Sequence, residues 1–183
     1  MIFLMRHGED DPERLGGWSS AGLTERGMEQ ARDAARRLRT EPEYSGIRRI
    51  WSSDLPRARE TALTVGDMLG LPVTGLPPFR ETNNGKLAGM TKTEAREKYP
   101  GVYYAALGFE ERYPGGESPR EFRDRIVSAW EAFRTEEEAL PGDALLVTHA
   151  GVIGVILCRV NGEEYTNRER KYRTPFCGIV PVP

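Results

Sequence analysis

The chain holds only two histidines, His7 and His149, separated by 142 positions. Each follows an apolar run and precedes a small residue, in Leu4-Met5-Arg6-His7-Gly8 and in Leu146-Val147-Thr148-His149-Ala150-Gly151. An imidazole can serve as nucleophile or proton carrier near neutral pH. Arg6 stands directly before the first histidine. A third apolar run, Ile50-Trp51-Ser52-Ser53, leads to Asp54 and then to Arg57. Arg57 falls in the first turn of a helix, where an anion is favoured. Taken singly, each residue has a structural explanation. A strand-end histidine is more often a satisfied structural residue, Glu81 in a polar loop is usually solvated, and 22 of the 26 basic residues are arginine. The joint arrangement is what points to chemistry on an anion.

For these residues to meet, their strands must run parallel and end at one edge, where ligands of open α/β sheets bind. Ile2 to Met5 predicts a buried strand opening into a loop that lasts to about Leu23. Thr24 can cap a helix whose Met28, Ala31, Ala34, Ala35 and Leu38 recur at helical spacing. Ile50 to Ser53 predicts a second strand. Leu55 to Leu69 predicts a second helix, with Pro56 in its first turn. Residues from about 72 to 116 are rich in Gly, Pro and Tyr and read as an insertion covering the site, with a short helix opening on the capping box Thr91-Lys92-Thr93-Glu94. Ser118-Pro119-Arg120-Glu121 caps a long helix. Ala144 to Val147 is a strand, Ala150 to Val160 a helix stopped by Asn161-Gly162, and Phe176 to Val182 a last strand in which Pro181 favours an edge. This alternation predicts a three-layer α/β/α sandwich with a mostly parallel central sheet, as one domain over residues 1–183.

Composition narrows the function. At 183 residues with 38% hydrophobic content the chain can bury a core without staples. A net charge of −2 gives no basic field for nucleic acid. No apolar run approaches the roughly 20 residues that span a bilayer, and no signal peptide is evident, so a cytoplasmic location is expected. Cys158 and Cys177 have neither disulfide nor zinc-site spacing. Oligomeric state is not legible.

Five ordered blocks carry a resemblance. They are Arg6-His7-Gly8-Glu9, Gly22-Leu23-Thr24-Glu25-Arg26-Gly27 leading to Gln30-Ala31, Ser52-Ser53-Asp54-Leu55-Pro56-Arg57-Ala58, Glu81 to Gly89 followed by Gly115-Gly116-Glu117-Ser118, and Thr148-His149-Ala150-Gly151-Val152-Ile153. Together the chain resembles the histidine phosphatase superfamily, in its phosphoglycerate mutase-like branch. The resemblance implies that His7 takes the phosphoryl group as a phosphohistidine. It implies that Arg6, Arg57 and His149 surround the phosphoryl oxygens, and that Glu81 is the acid for the leaving oxygen. The catalytic set implied is thus His7, Glu81 and His149.

Charge spread over the equatorial oxygens in phosphoryl transfer suits bidentate arginine. Neutral imidazole attacks if one ring nitrogen keeps its proton, and a backbone carbonyl is the usual holder. The arginines favour a neutral His7, and bound phosphate a protonated His149. No metal or other cofactor is expected, because arginine supplies the charge. The implied partner is a small-molecule phosphate ester.

Three departures from the family pattern matter. Asp10-Asp11-Pro12 stands where mutase-like members carry Ser or Thr, placing two acids near the mouth and disfavouring highly anionic substrates such as bisphosphates. Gly16-Gly17-Trp18 fills the later part of that loop, and the Gly17 backbone N–H can reach the phosphate. The block after Glu81 lacks its usual aromatic and acid, so Glu9 is the substitute acid if Glu81 points away. The chain is short for a mutase, so hydrolysis is expected of a small phosphorylated metabolite. The alternatives are a protein phosphohistidine phosphatase, a phosphoglycerate mutase-type phosphotransferase and a silent phosphate-binding module.

Overall fold

A computed structural model describes residues 1–182; Pro183, the end of the span read as one domain, lies outside the described residues. Five strands form one sheet: β1 (Ile2–Arg6), β2 (Ile47–Ser52), β3 (Val73–Gly75), β4 (Asp143–Thr148) and β5 (Ile179–Val182), in the order β3-β2-β4-β1-β5. Every pairing is parallel except β1 with β5. The expected mostly parallel sheet is therefore present, with Pro181 on the antiparallel edge strand, where its missing N–H is harmless.

The alternation of side chains along each strand sorts the helices into two layers. Ile2 and Leu4 of β1, with Ala144 and Leu146 of β4, face α4 (Pro119–Glu138) and α5 (Ala150–Val160). Phe3 and Met5, with Leu145 and Val147, face α1 (Glu25–Thr40) and α2 (Pro56–Leu69). Phe122, Ile126, Trp130 and Phe133 form the buried stripe of α4 at the expected spacing. The short α3 (Lys92–Lys98) opens on the Thr91–Glu94 capping box, and α4 on that of Ser118 and Glu121. Gly162 ends α5 at φ +67°. Its N–H donates to Arg159, and that of Glu163 to Cys158, the paired bonds of a Schellman cap.

Three boundaries differ from the sequence reading. β2 begins at Ile47, three residues early, because a bulge lets an alternating stretch join β4. Residues 73–75, placed in the insertion, form β3 beside β2; three residues carry no legible alternation. β5 begins at Ile179, because Phe176 and Cys177 turn under β1 instead, Cys177 at φ +53°. A third apolar cluster, Leu87, Ala95, Leu107 and Tyr113, sits beneath residues 85–113. No described helix is long and apolar enough to cross a membrane.

Candidate active site

Three parallel strands end level with one another. The His7 N–H donates to Thr148 and the Ser53 N–H to Val147, each at 2.9 Å. The residues just beyond β1, β4 and β2 therefore share one edge, and the His7 and His149 rings lie 5.1 Å apart. Both side chains are buried.

The His7 loop is held from α1 and α2. The Gly8 N–H donates to Thr61 Oγ1, and the Glu9 N–H to Gln30 Oε1. Gly8 and Gly27 touch so closely that a Cβ on Gly8 would sit 2.5 Å from the Gly27 oxygen. Thr24 caps α1 and also reaches back to the Glu9 carbonyl. The block from Gly22 to Ala31 is thus the cradle of the His7 loop.

His7 Nδ1 lies 2.6 Å from the Gly8 carbonyl. A carbonyl only accepts, so Nδ1 carries the proton and Nε2 presents its lone pair. Burial, then the Arg57 charge, pushes the His7 pKa down to about 3, against the pull of that carbonyl. Burial outweighs the arginines as the cause. His149 Nε2 lies 2.8 Å from Ser53 Oγ. Burial and the charge of Arg57 likewise hold His149 well below its ordinary pKa.

Arg57 is 1% exposed. Its Nε donates to His7 Nε2 at 3.3 Å, and its Nη2 to the Gly17 carbonyl at 2.9 Å. Gly17 thus meets Arg57 through its carbonyl rather than offering its N–H there. Gly17 also needs to be glycine: its φ is +53°, and a Cβ would overlap Asn84. The Arg6 guanidinium stacks on the Phe176 ring at 3.8 Å and donates to the Thr174 carbonyl. Burial and the nearby Arg170 lower its pKa. Among the described residues, Arg6 Nε, Arg57 Nη1 and His149 Nδ1 are buried without a hydrogen-bond partner. Leaving such groups unpaired costs about 1–3 kcal/mol each, so the site is built for a group with several acceptor oxygens.

The two acids of the loop part company. Asp11 turns outward to Arg14. Asp10 turns inward, its Oδ2 3.3 Å from Arg57 Nε. Glu9, the alternative acid, is engaged by Thr24 Oγ1 and lies 3.9 Å from Arg26 Nε.

Glu81 accepts from the Gly151 N–H at the start of α5 through Oε2, and from its own neighbour Thr82 through Oε1. Its backbone is clamped. Trp18 Nε1 and Arg125 Nη2 both donate to the Glu81 carbonyl, and Glu117 pins both Arg125 and the Asn83 N–H. The Gly115-Gly116-Glu117 block belongs to this clamp; a Cβ on Gly116 would sit 2.2 Å from the Asn83 oxygen. Thr61, Asn84, Arg125 and Phe176 are all site or support residues to which the sequence reading gave no such place. Only their sequence proximity to Arg57, Glu81 or His7 hinted at it, and for Arg125 and Phe176 nothing did. No cluster of three or more His, Cys, Asp or Glu suited to a metal occurs among the described residues.

This geometry agrees with comparison to known proteins. The chain is 34% identical to the "Probable phosphoglycerate mutase GpmB" of Erwinia tasmaniensis over 188 residues, covering 99% of this chain and 83% of that protein. It is 33% identical to the "Metal-independent phosphoserine phosphatase" of Arabidopsis thaliana, over 87% of this chain and 68% of that protein. Among solved structures, a mycobacterial glucosyl-3-phosphoglycerate phosphatase superposes with a TM-score of 0.79 at 25% identity, over 97% of this chain and 87% of that one. The family described as the histidine phosphatase superfamily (branch 1) matches residues 2–180, and the chain belongs to it.

Proposed function

We propose that this protein is a metal-independent phosphomonoesterase that hydrolyses a small phosphorylated metabolite through a phosphohistidine on His7. The observation that carries the reading is the Gly8 carbonyl on His7 Nδ1, which leaves Nε2 unprotonated near three buried partnerless nitrogens. In the first step Nε2 attacks phosphorus and the ester P–O bond breaks. Arg6, Arg57 and His149 receive the phosphoryl oxygens. With Ser53 Oγ–H donating to His149 Nε2, the His149 proton sits on Nδ1 and faces the phosphoryl group. Glu81, protonated, gives its proton to the leaving alkoxide. In the second step Glu81 as carboxylate takes a proton from water, the water oxygen bonds phosphorus, and the P–Nε2 bond breaks. Inorganic phosphate leaves and His7 is again neutral.

A second reading, transfer between phosphoglycerates, is favoured by the mutase-named relative. Asp10 beside Arg57 favours hydrolysis of monoesters over handling of bisphosphates, since a fixed carboxylate repels additional anionic charge. The test is release of phosphate from p-nitrophenyl phosphate with EDTA present, comparing wild type with His7→Ala, alongside transfer between phosphoglycerates. Activity lost in the variant, with release exceeding transfer, is the expected result. Equal activity in both proteins overturns the mechanism, and dominant transfer overturns hydrolysis.

A further inference from the structure

A cavity of about 730 Å³ opens from Glu81, Gly17 and Gly151, and neither histidine nor Arg57 lines it. It therefore begins on the side of Glu81, where the leaving oxygen would depart, rather than on the phosphoryl side. One wall is the insertion around α3 and the segment 99–113. The other is the irregular tail 163–172 that follows α5. The two walls are fastened together. Asn167 Nδ2 donates to the Tyr104 and Leu107 carbonyls, Arg168 to Ala105, and the Tyr104 and Tyr165 hydroxyls pair at 2.7 Å. Pockets of this size accept ligands much larger than a bare phosphate.

The lining has two characters. Tyrosines 99, 104, 113, 165 and 172 give it broad apolar faces with polar tips. Tyr104 and Tyr113 also stack on each other, so they both pack the insertion and wall the cavity. Lys92, Arg96, Arg168, Arg170 and Lys171 give it positive charge. Only Glu81 and Glu169 oppose them on the lining. Lys171 is paired with Glu163, and Arg168 holds backbone carbonyls. Arg96, from α3, and Arg170, from the tail, form no ion pair among the described residues. Arg170 is also close enough to Arg6 to depress its pKa, which ties the cavity to the phosphoryl site.

We propose that this cavity receives the leaving alcohol, and that the alcohol has a bulky, partly apolar body bearing a second anionic group read by Arg96 and Arg170. The proposal rests on the phosphatase reading of His7 and Glu81. Arginine suits the task because its planar fork grips a carboxylate or phosphate with two charge-assisted bonds.

Matched esters test it. Para-carboxyphenyl phosphate is compared with para-carbamoylphenyl phosphate, and the same pair is repeated on a longer biphenyl body, all with EDTA present. The expected kcat/KM ratio favours the carboxylate by about tenfold at one length or both. The ratio should fall to within about twofold in the Arg96→Gln/Arg170→Gln double variant. A wild-type ratio under about twofold at both lengths, or a preference that survives the double variant, overturns the proposal. Calorimetry with the corresponding benzylphosphonates reads the same preference without turnover. If no ester is hydrolysed, the phosphatase reading fails by itself, and the phosphonate preference still decides what the cavity binds.

Discussion

The Asp10 carboxylate lies 3.3 Å from Arg57 Nε, the same nitrogen that lies 3.3 Å from His7 Nε2. One guanidinium nitrogen thus sits between a built-in anion and His7. A phosphoryl oxygen that takes Arg57 must compete with Asp10 and bear its charge. Asp10→Asn keeps the shape and removes the charge. Inorganic phosphate should then inhibit about tenfold more tightly near neutral pH, read as a competitive inhibition constant. An unchanged constant would show that the carboxylate moves aside when phosphate binds.

Glu81 can be removed or displaced. Glu81→Gln should lower kcat for alkyl phosphates by about 10²–10⁴ and for p-nitrophenyl phosphate far less, because a nitrophenolate leaves without a proton. Gly151→Ala keeps the acid but would place a Cβ 2.3 Å from its Oε1. The same selective loss is expected, in weaker form. Equal losses on both leaving groups in Glu81→Gln would assign Glu81 to the hydrolytic step or to packing.

Stability should fall as pH drops below about 6.5. The unfolded chain protonates His7 near that value, whereas the folded chain resists it down to about 3. The unfolded state then binds more protons, which favours unfolding as acid is added. His149 is depressed in the same sense. Each histidine contributes a slope of up to about 1.4 kcal/mol per pH unit inside the window. Asp54, held low by Arg80, adds a loss only at more acid pH. Urea midpoints at pH 7.5 and 5.5 check this, and His7→Gln should flatten the dependence. A wild-type midpoint that does not move rejects the neutral-histidine assignment.

Glu137, at the end of α4, is buried and accepts from Arg49 Nε at 2.8 Å. Arg49 also holds the Pro141 and Gly142 carbonyls, which ties the α4–β4 turn to the β2 bulge. Glu137→Ala leaves Arg49 half-served and should cost about 2 kcal/mol in urea unfolding. This pair is remote from the histidines, so turnover per folded molecule should hold. A loss of kcat without loss of stability would contradict the placement.

What was legible in the sequence was what local chemistry dictates. Apolar strands, the Thr91 and Ser118 capping boxes and the His-bearing strand ends each declare themselves within a few residues. Three strands of like direction then bring His7, Ser53 and His149 to one edge. Other features depend on how loops fold onto each other. Asp10 could be placed near the mouth, but not against Arg57, because its direction is set by the packing of residues 8–24 on α1. Arg125 carries no signal of its own among 22 arginines, although it holds the Glu81 carbonyl. Arg170 lies in a stretch without periodicity and Phe176 reads as the start of the last strand, so nothing marked one as a cavity wall or the other as the stacking partner of Arg6.

The strand order has a consequence for how the chain is made. β1 is synthesised first yet lies between β4 and β5, so both of its edges stay unpaired until residues 143–182 exist. Until β4 inserts, β1 and β2 flank a vacant slot, with the His7 loop lacking its partner strand. A nascent chain carrying only the first 140 or so residues thus exposes open strand edges, the kind of surface on which chaperones act and aggregation begins. Assembly of the sheet and assembly of the candidate site are one late event.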